Sequence, residues 1–346
     1  MITDAKLTQV REAHRFDENA LGEYLKNKLE GYAGPLDVQQ FEGGQSNPTF
    51  LLKAGGKEYV MRKKPPGKLL PSAHQVDREF RVMKALEKSA VPVPKMCLLC
   101  EDENIIGTSF FIMEHVQSRV LEDITLPAMT PEARHAIYFD MIRVLAALHS
   151  VDFVDLGLDD FGKPGNYFSR QIGRWSKQYV AAKTDEIESM ERLMEYLPAN
   201  VPADDASCIV HGDYRMGNML LHPTEPKIVA LVDWELSTLG HPLGDVGYSC
   251  MFYHSGIVGR TSLDGQTGSA TGIPSEAAFL AEYCRLTGRD GIPNWNFYLA
   301  FSFFRLASIL QGVYKRGIMG NASSTEAMER GRMARDIADL AGKLLD

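Results

Sequence analysis

The stretch 209-IVHGDYRMGNMLLHPTEPKIVALVDWE-235 places His211, Asp213 and Asn218 in one short polar segment, and Asp233 and Glu235 beyond an apolar one. It reads as loop, strand, turn at HPTEP, strand. Strands on either side hold such a loop rigidly, and its two carboxylates and one amide are the hard oxygen donors that a divalent cation beside a polyphosphate requires.

Upstream of this stretch the chain changes character near residue 118. Residues 17 to 29, DENALGEYLKNKL, set Leu21, Leu25 and Leu29 four apart behind an Asp17 cap and predict a short amphipathic helix. Short strands follow in VQQFEGG, NPTFLLKAGG, KEYVMRKK, MCLLCED and TSFFIMEHV, with Gly55-Gly56 as a hairpin signal and one helix over 72–87 that VPVP stops. Beyond 118 the pattern is helical: a start at Thr130-Pro131-Glu132, then 167–197 with an internal break, 274–286 ended by Gly288, 293–312, and 324 to the end. The segment 255–272 carries five glycines and reads as a mobile loop.

Composition excludes several classes. The chain has 346 residues, 37 Lys+Arg against 45 Asp+Glu and a formal charge of −8, which gives no basic footprint for nucleic acid. The polar start MITDAKLTQVREAHRFDENA lacks an apolar signal core, so a cytoplasmic location is expected. The most apolar run, Asn296 to Val313, contains Arg305 and predicts a buried helix rather than a membrane span. Five scattered cysteines argue against a disulfide framework, and Cys97 and Cys100 of the single CxxC fall on a strand, where they face opposite ways and cannot share an ion.

In 211-HGDYRMGN-218 four residues separate Asp213 from Asn218, the spacing of the kinase catalytic loop H-R-D-x-x-x-x-N, and Asp233 falls where the metal-binding Asp of D-F-G belongs. The pattern suits phosphoryl transfer: Asn218 and Asp233 hold Mg²⁺ against the phosphates while Asp213 accepts the proton of an attacking hydroxyl. With these residues in order, the sequence resembles the aminoglycoside phosphotransferase and choline kinase-like family of small-molecule kinases, which carry His-Gly-Asp in place of His-Arg-Asp. More narrowly, it resembles the phosphotransferase-like domain of certain acyl-CoA dehydrogenase family proteins, over nearly the whole chain.

The resemblance implies an α+β, protein-kinase-like two-lobed fold: a small antiparallel-sheet lobe over 1–116 that binds nucleotide, and a mainly helical lobe over 117–346 that carries the catalytic loop and substrate. It makes Asp213 the catalytic base, Asn218 and Asp233 the metal ligands and His211 a loop anchor, with Arg215 where protein kinases keep a phosphate-steadying lysine. Gly43, Gly44, Ser46 and Asn47 of FEGGQSNPTF take the place of the nucleotide-covering loop. YVMR resembles the strand that ends in the ATP-binding lysine, with Arg62 standing in that lysine's place and Glu79 as its helix partner. IMEHV resembles the hinge, with Glu114 and Val116 meeting a purine, and Asp245 matches the Asp that supports the catalytic loop from below.

The expected reaction transfers the γ-phosphoryl of ATP or GTP to the hydroxyl of a small molecule, and the narrower resemblance suggests a hydroxylated acyl-CoA thioester. A catalytically silent nucleotide-binding regulator is the alternative, raised by Arg62. A protein kinase is disfavoured because no A-P-E follows Asp233. Glu235 divides evenly between a metal-side role and a solvated turn. Lys63, Lys64, Pro65 and Pro66 with Lys68 read as a solvated charge run or as a receiver of a coenzyme A polyphosphate.

Overall fold

Gly55 and Gly56 adopt φ of 57° and 76°, the left-handed pair that a tight hairpin turn requires and that side chains resist. They join two strands of a six-stranded antiparallel sheet. The structure, a computed structural model, describes residues 2–3, 6–42, 47–65, 74–121, 123–254, 262–319 and 325–345. It divides into two compact units. Unit 1 comprises Met1–Glu122, Val154–Phe161 and Gly217–Ser237, and unit 2 comprises Asp123–Phe153, Gly162–Met216 and Thr238–Asp346.

The strands in chain order are β1 Ile2–Thr3, β2 Leu7–Thr8, β3 Asp37–Phe41, β4 Thr49–Ala54, β5 Lys57–Lys63, β6 Met96–Cys100, β7 Phe110–Glu114, β8 Arg119–Leu121, β9 Cys208–Val210, β10 Met219–Leu221, β11 Ile228–Leu231 and β12 Thr238–Gly240. In unit 1 the sheet order is β2-β3-β4-β5-β7-β6, and a second sheet runs β1-β8-β10-β11. The β8–β10 pairing and the Leu231 N–H bond to the Pro92 carbonyl tie the hairpin after Asn218 to unit 1. Residues 154–161 join the same unit through Arg81, which donates to the Gly157 carbonyl at 2.7 Å and pairs with Asp160.

Helix α1 (Glu18–Lys28) begins at Asp17, whose carboxylate accepts the Asn19 and Ala20 N–H groups, and it buries Leu21 and Leu25 against Phe50, Leu52 and Met61 on one sheet face. Helix α2 (Val76–Leu86) lies beside β6 and β7 with Val82, Met83 and Leu86 buried and Phe80 half-buried. It starts at Val76 rather than 72: residues 72 and 73 lie outside the described residues, and His74, with φ of 59°, is not helical.

Unit 2 is helical: α3 Pro131–His149, α4 Tyr167–Ala182, α5 Glu188–Ala199, α6 Leu243–Cys250, α7 Glu276–Thr287, α8 Trp295–Ile318, α9 Thr325–Arg332 and α10 Ala334–Gly342. The expected caps are present at Thr130 with Pro131 behind it, and at Gly288 after α7. Helix α8 is the hub, packed by α4, α5, α6, α9 and α10. It runs six residues past Gly312, the expected end, because packing outweighs the small helix penalty of an interior glycine. By length and composition α8 could cross a membrane, yet 72% of its most apolar window is buried, as in a core helix.

Two loop readings change. Of the glycine-rich 255–272, residues 255–261 lie outside the described part. The rest is tied by Gly268 N–H to the Ile273 carbonyl at 2.8 Å and Gly272 N–H to the Gly268 carbonyl at 2.9 Å, so backbone bonds order it. Lys63, read as part of either a solvated run or a polyphosphate receiver, is 2% exposed, because strand alternation turns it into the face that α1 covers. All five cysteines are free thiols.

Candidate active site

In unit 1, β5 alternation sends Arg62 to the α2 face, where Glu79 is 1% exposed. Arg62 Nε lies 3.3 Å from Glu79 Oε2, and one of its terminal nitrogens lies 2.7 Å from Asp233 Oδ1 and 3.6 Å from Glu235 Oε2. The Arg62–Glu79 contact is an ion pair without good hydrogen-bond alignment, since both atoms are buried and neither makes a geometric hydrogen bond. Glu79 is fixed instead by Asn47, whose side-chain amide donates to Glu79 Oε1 at 2.8 Å, while His74 Nδ1 lies 3.0 Å from Asn47 Oδ1.

Among the described residues, three carboxylates surround the Arg62 guanidinium. Burial pushes the Glu79 carboxyl up to about 7, against the pull of Arg62 and with the push of Asp233 and Glu235. Burial would weaken the Arg62 cation, but the charges of Glu79, Asp233 and Glu235 outweigh it and raise its pKa.

Asp233 follows β11 with φ of 68°, a left-handed conformation that Asp tolerates at modest cost. Trp234 pins the turn from below, 1% exposed with its indole N–H on the Leu231 carbonyl at 2.9 Å. Across the hairpin the Val232 N–H donates to the Asn218 carbonyl at 3.0 Å, so β10 and β11 bring residue 218 alongside the residue before Asp233. The side chains of Asp233 and Glu235 are 30% and 23% exposed, enough to reach a ligand.

Among the described residues no three His, Cys, Asp or Glu side chains form a metal cage by themselves. Mg²⁺ keeps waters and takes one or two protein oxygens plus substrate phosphates. Asn218 and Asp233 are the oxygen-bearing side chains that could hold such an ion.

In unit 2, β9 leads into His211-Gly212-Asp213. Gly212 has φ of 81°. Its N–H and that of His211 donate to the two oxygens of Asp245 at 2.8 Å and 2.6 Å. His149 Nε2 lies 3.4 Å from the same carboxylate, and its Nδ1 lies 2.8 Å from the Tyr283 hydroxyl. Burial alone would raise the Asp245 carboxyl, yet His149 and the loop N–H groups hold it below the usual carboxylate range.

The Gly212 carbonyl accepts from Arg305 at 2.7 Å, and the buried His211 ring accepts the Asp213 N–H at 3.2 Å. Arg215 Nε sits 3.2 Å and 3.1 Å from the two Asp213 oxygens. The Tyr248 hydroxyl also hydrogen-bonds Asp213, and burial followed by that carboxylate pushes the phenol well above its usual range.

Arg62, Glu79, Asn47, Asp233 and Glu235 thus form one cluster, with the Asn218 backbone across the hairpin from Val232, and Asp213 and Arg215 form another. Glu114 ends β7 three positions from Phe111, the strand partner of Arg62, or roughly 10 Å along the strand. Its N–H donates to the Lys95 carbonyl, and the Val116 carbonyl accepts the Ser118 hydroxyl. Gly43, Gly44 and Ser46 lie outside the described residues. Sequence reading missed Tyr248 and His74, and it gave no partner to Arg305 or to His149, which stands at the helix end expected of it. Only Arg305 left a signal, a lone cation inside an apolar helix.

The fold and these two clusters define a kinase-like phosphotransferase. Residues 37–294 match the sequence model of the phosphotransferase enzyme family, APH, and the chain belongs to that family. It is 46% identical over 335 residues to mouse acyl-CoA dehydrogenase family member 10, covering 96% of this chain and 31% of that protein. It is 42% identical over 342 residues to human acyl-CoA dehydrogenase family member 11, covering 97% of this chain and 44% of that protein. The chain therefore spans less than half the length of these relatives.

A provisionally named aminoglycoside phosphotransferase from Ralstonia eutropha JMP134 has a crystal structure with 51% identity and a TM-score of 0.87, covering 95% of this chain and 98% of that one. Aminoglycoside phosphotransferase APH(4)-Ia, solved with AMP-PNP and hygromycin B, matches at 16% identity and a TM-score of 0.62 over 94% of this chain and 98% of its own, a likeness of fold.

Proposed function

We propose that the chain is a small-molecule kinase that moves the γ-phosphoryl of ATP or GTP to a substrate hydroxyl. The observation that carries this reading is the Arg62 guanidinium set among Glu79, Asp233 and Glu235, with Asp233 and Glu235 partly open to solvent. Asn218 and Asp233 hold Mg²⁺, which when bound neutralises phosphate charge and orients the chain of phosphates. Arg62, braced by Glu79, steadies the α- and β-phosphates. Asp213 takes the proton from the acceptor hydroxyl as its oxygen bonds to the γ-phosphorus and the bond to the bridging β–γ oxygen breaks, releasing the nucleoside diphosphate. Arg215 holds the Asp213 carboxylate between proton transfers and faces the developing phosphate charge.

The acceptor we infer is a hydroxylated acyl-CoA thioester. Support comes from relatives named for acyl-CoA dehydrogenases, in which the matched region is less than half of the protein. A second reading, a silent nucleotide-binding regulator, draws on Arg62 standing where a lysine is expected and already engaged by three carboxylates. An ATP-consumption screen over hydroxyl-bearing metabolites, hydroxyacyl-CoA thioesters included, separates the two. Turnover with one acceptor, lost in Asp213→Asn, supports the kinase. Nucleotide binding without turnover on any acceptor supports the regulator.

A further inference from the structure

Lys63 closes β5 on the face opposite Arg62. Tyr59 and Met61, its neighbours on that face, enter the core with Leu21, Phe50 and Leu52, so alternation carries Lys63 to the edge of the same core. It is 2% exposed, and its ammonium lies 5.8 Å from the centroid of the Phe16 ring. Among the described residues no carboxylate pairs with it, and burial alone draws its pKa below the ordinary lysine value. Buried lysines are almost always paired, and a ring face makes up only part of the lost hydration.

The surroundings are basic as well. Gln40, 1% exposed, accepts the Arg11 backbone N–H on its Oε1 at 3.0 Å, which leaves its Nε2 to donate to His14 Nδ1 at 2.8 Å. That assignment puts the ring hydrogen of neutral His14 on Nε2, directed away from Gln40 as a further donor. Burial first, then the charges of Lys63 and Arg11, hold His14 below the usual imidazole range, and no carboxylate acts against them.

We propose that Arg11, His14 and Lys63 form a binding site for a phosphate-bearing anion on the α1 face of the six-stranded sheet. A tetrahedral dianion accepts donors arriving from several directions and offsets both cations, which a single carboxylate does less completely. The site is separate from the Arg62 cluster, because adjacent residues of one strand point to opposite faces. It stands whether or not the kinase reading does.

The test follows the His14 ring C–H resonances of the full chain through a pH titration, with inorganic phosphate replacing chloride at constant ionic strength. The His14 midpoint is expected to rise by about one pH unit in phosphate, and Lys63→Met is expected to remove most of that rise. Lys63→Met exchanges an unpaired buried cation for an apolar side chain of similar length, so in chloride it is expected to melt above the native protein and to lose the increment that phosphate adds. Arg11→Ala, at an exposed position, is expected to weaken the phosphate response several-fold, and it serves if Lys63→Met fails to fold. A His14 midpoint indifferent to phosphate, or a response of equal size in the native protein and these variants, overturns the site.

Discussion

Around Arg62 in unit 1, three carboxylates face one guanidinium; around Asp245 in unit 2, two backbone N–H groups and His149 face one carboxylate. Among the described residues the first set has more carboxylates than cations, and it leaves Asp233 and Glu235 partly open. The second is buried, with its donors matched to its acceptors. Charge surplus at an accessible place is relieved by a ligand, whereas a matched and buried set holds backbone in one shape. On the proposed reading, unit 1 supplies the charges that meet the nucleotide and its cation, and unit 2 holds Asp213 on a loop that Asp245 fixes.

The largest expected effect tests the roles of the two aspartates at once. Asp213→Asn and Asp233→Asn should each lower kcat by on the order of 10³-fold or more, with the far-UV spectrum unchanged. Retained turnover in either variant removes the assignment. Asp245→Asn should behave differently, as a stability lesion of about 2 kcal/mol in a denaturant melt, because it leaves a loop N–H facing an amide rather than a carboxylate. An activity loss in Asp245→Asn with no stability loss would erase the contrast between mount and ligand site.

The pH dependence of stability sharpens the same contrast with opposite signs. Glu79 is raised from 4.5 to about 7, so the folded state binds its proton more tightly than the unfolded state does, and stability should fall as pH rises through that window in nucleotide-free protein. His241 in unit 2, buried beside Asp204, is lowered from 6.5 to about 4 by burial, so stability should fall as pH drops through that window. Glu79→Gln should flatten the first slope and His241→Asn the second, as read from urea midpoints against pH. The smallest effect belongs to Glu235→Gln, expected to change nucleotide affinity by less than about tenfold, since it touches Arg62 only at 3.6 Å.

Local signals were legible wherever one short segment decides the outcome. Asp17 and Thr130 announce their helices, Gly55-Gly56 its hairpin, and the HGDYRMGN spacing its loop. Strand alternation alone separates Arg62 from Lys63. What stayed hidden depends on partners distant in sequence. Arg305 reaches Gly212 across 93 positions and His149 reaches Asp245 across 96, distances at which no periodicity speaks. Asn47, expected on the nucleotide loop, spends its amide on Glu79, a role set by how α2 packs on the sheet. Strands β8, β9 and β12, three residues each, are too short to show a pattern, yet β8 is one of the elements that tie 217–237 to unit 1.

The most direct test compares how Mg²⁺ and ADP raise the melting temperature of the native chain, Asp233→Asn and Asp213→Asn. The Mg²⁺-dependent part of the rise should vanish in Asp233→Asn and survive in Asp213→Asn, because one residue belongs to the surplus-charge cluster and the other only to the transfer step. A full Mg²⁺-dependent rise in Asp233→Asn, or its equal loss in both variants, would contradict the division of labour between the two units.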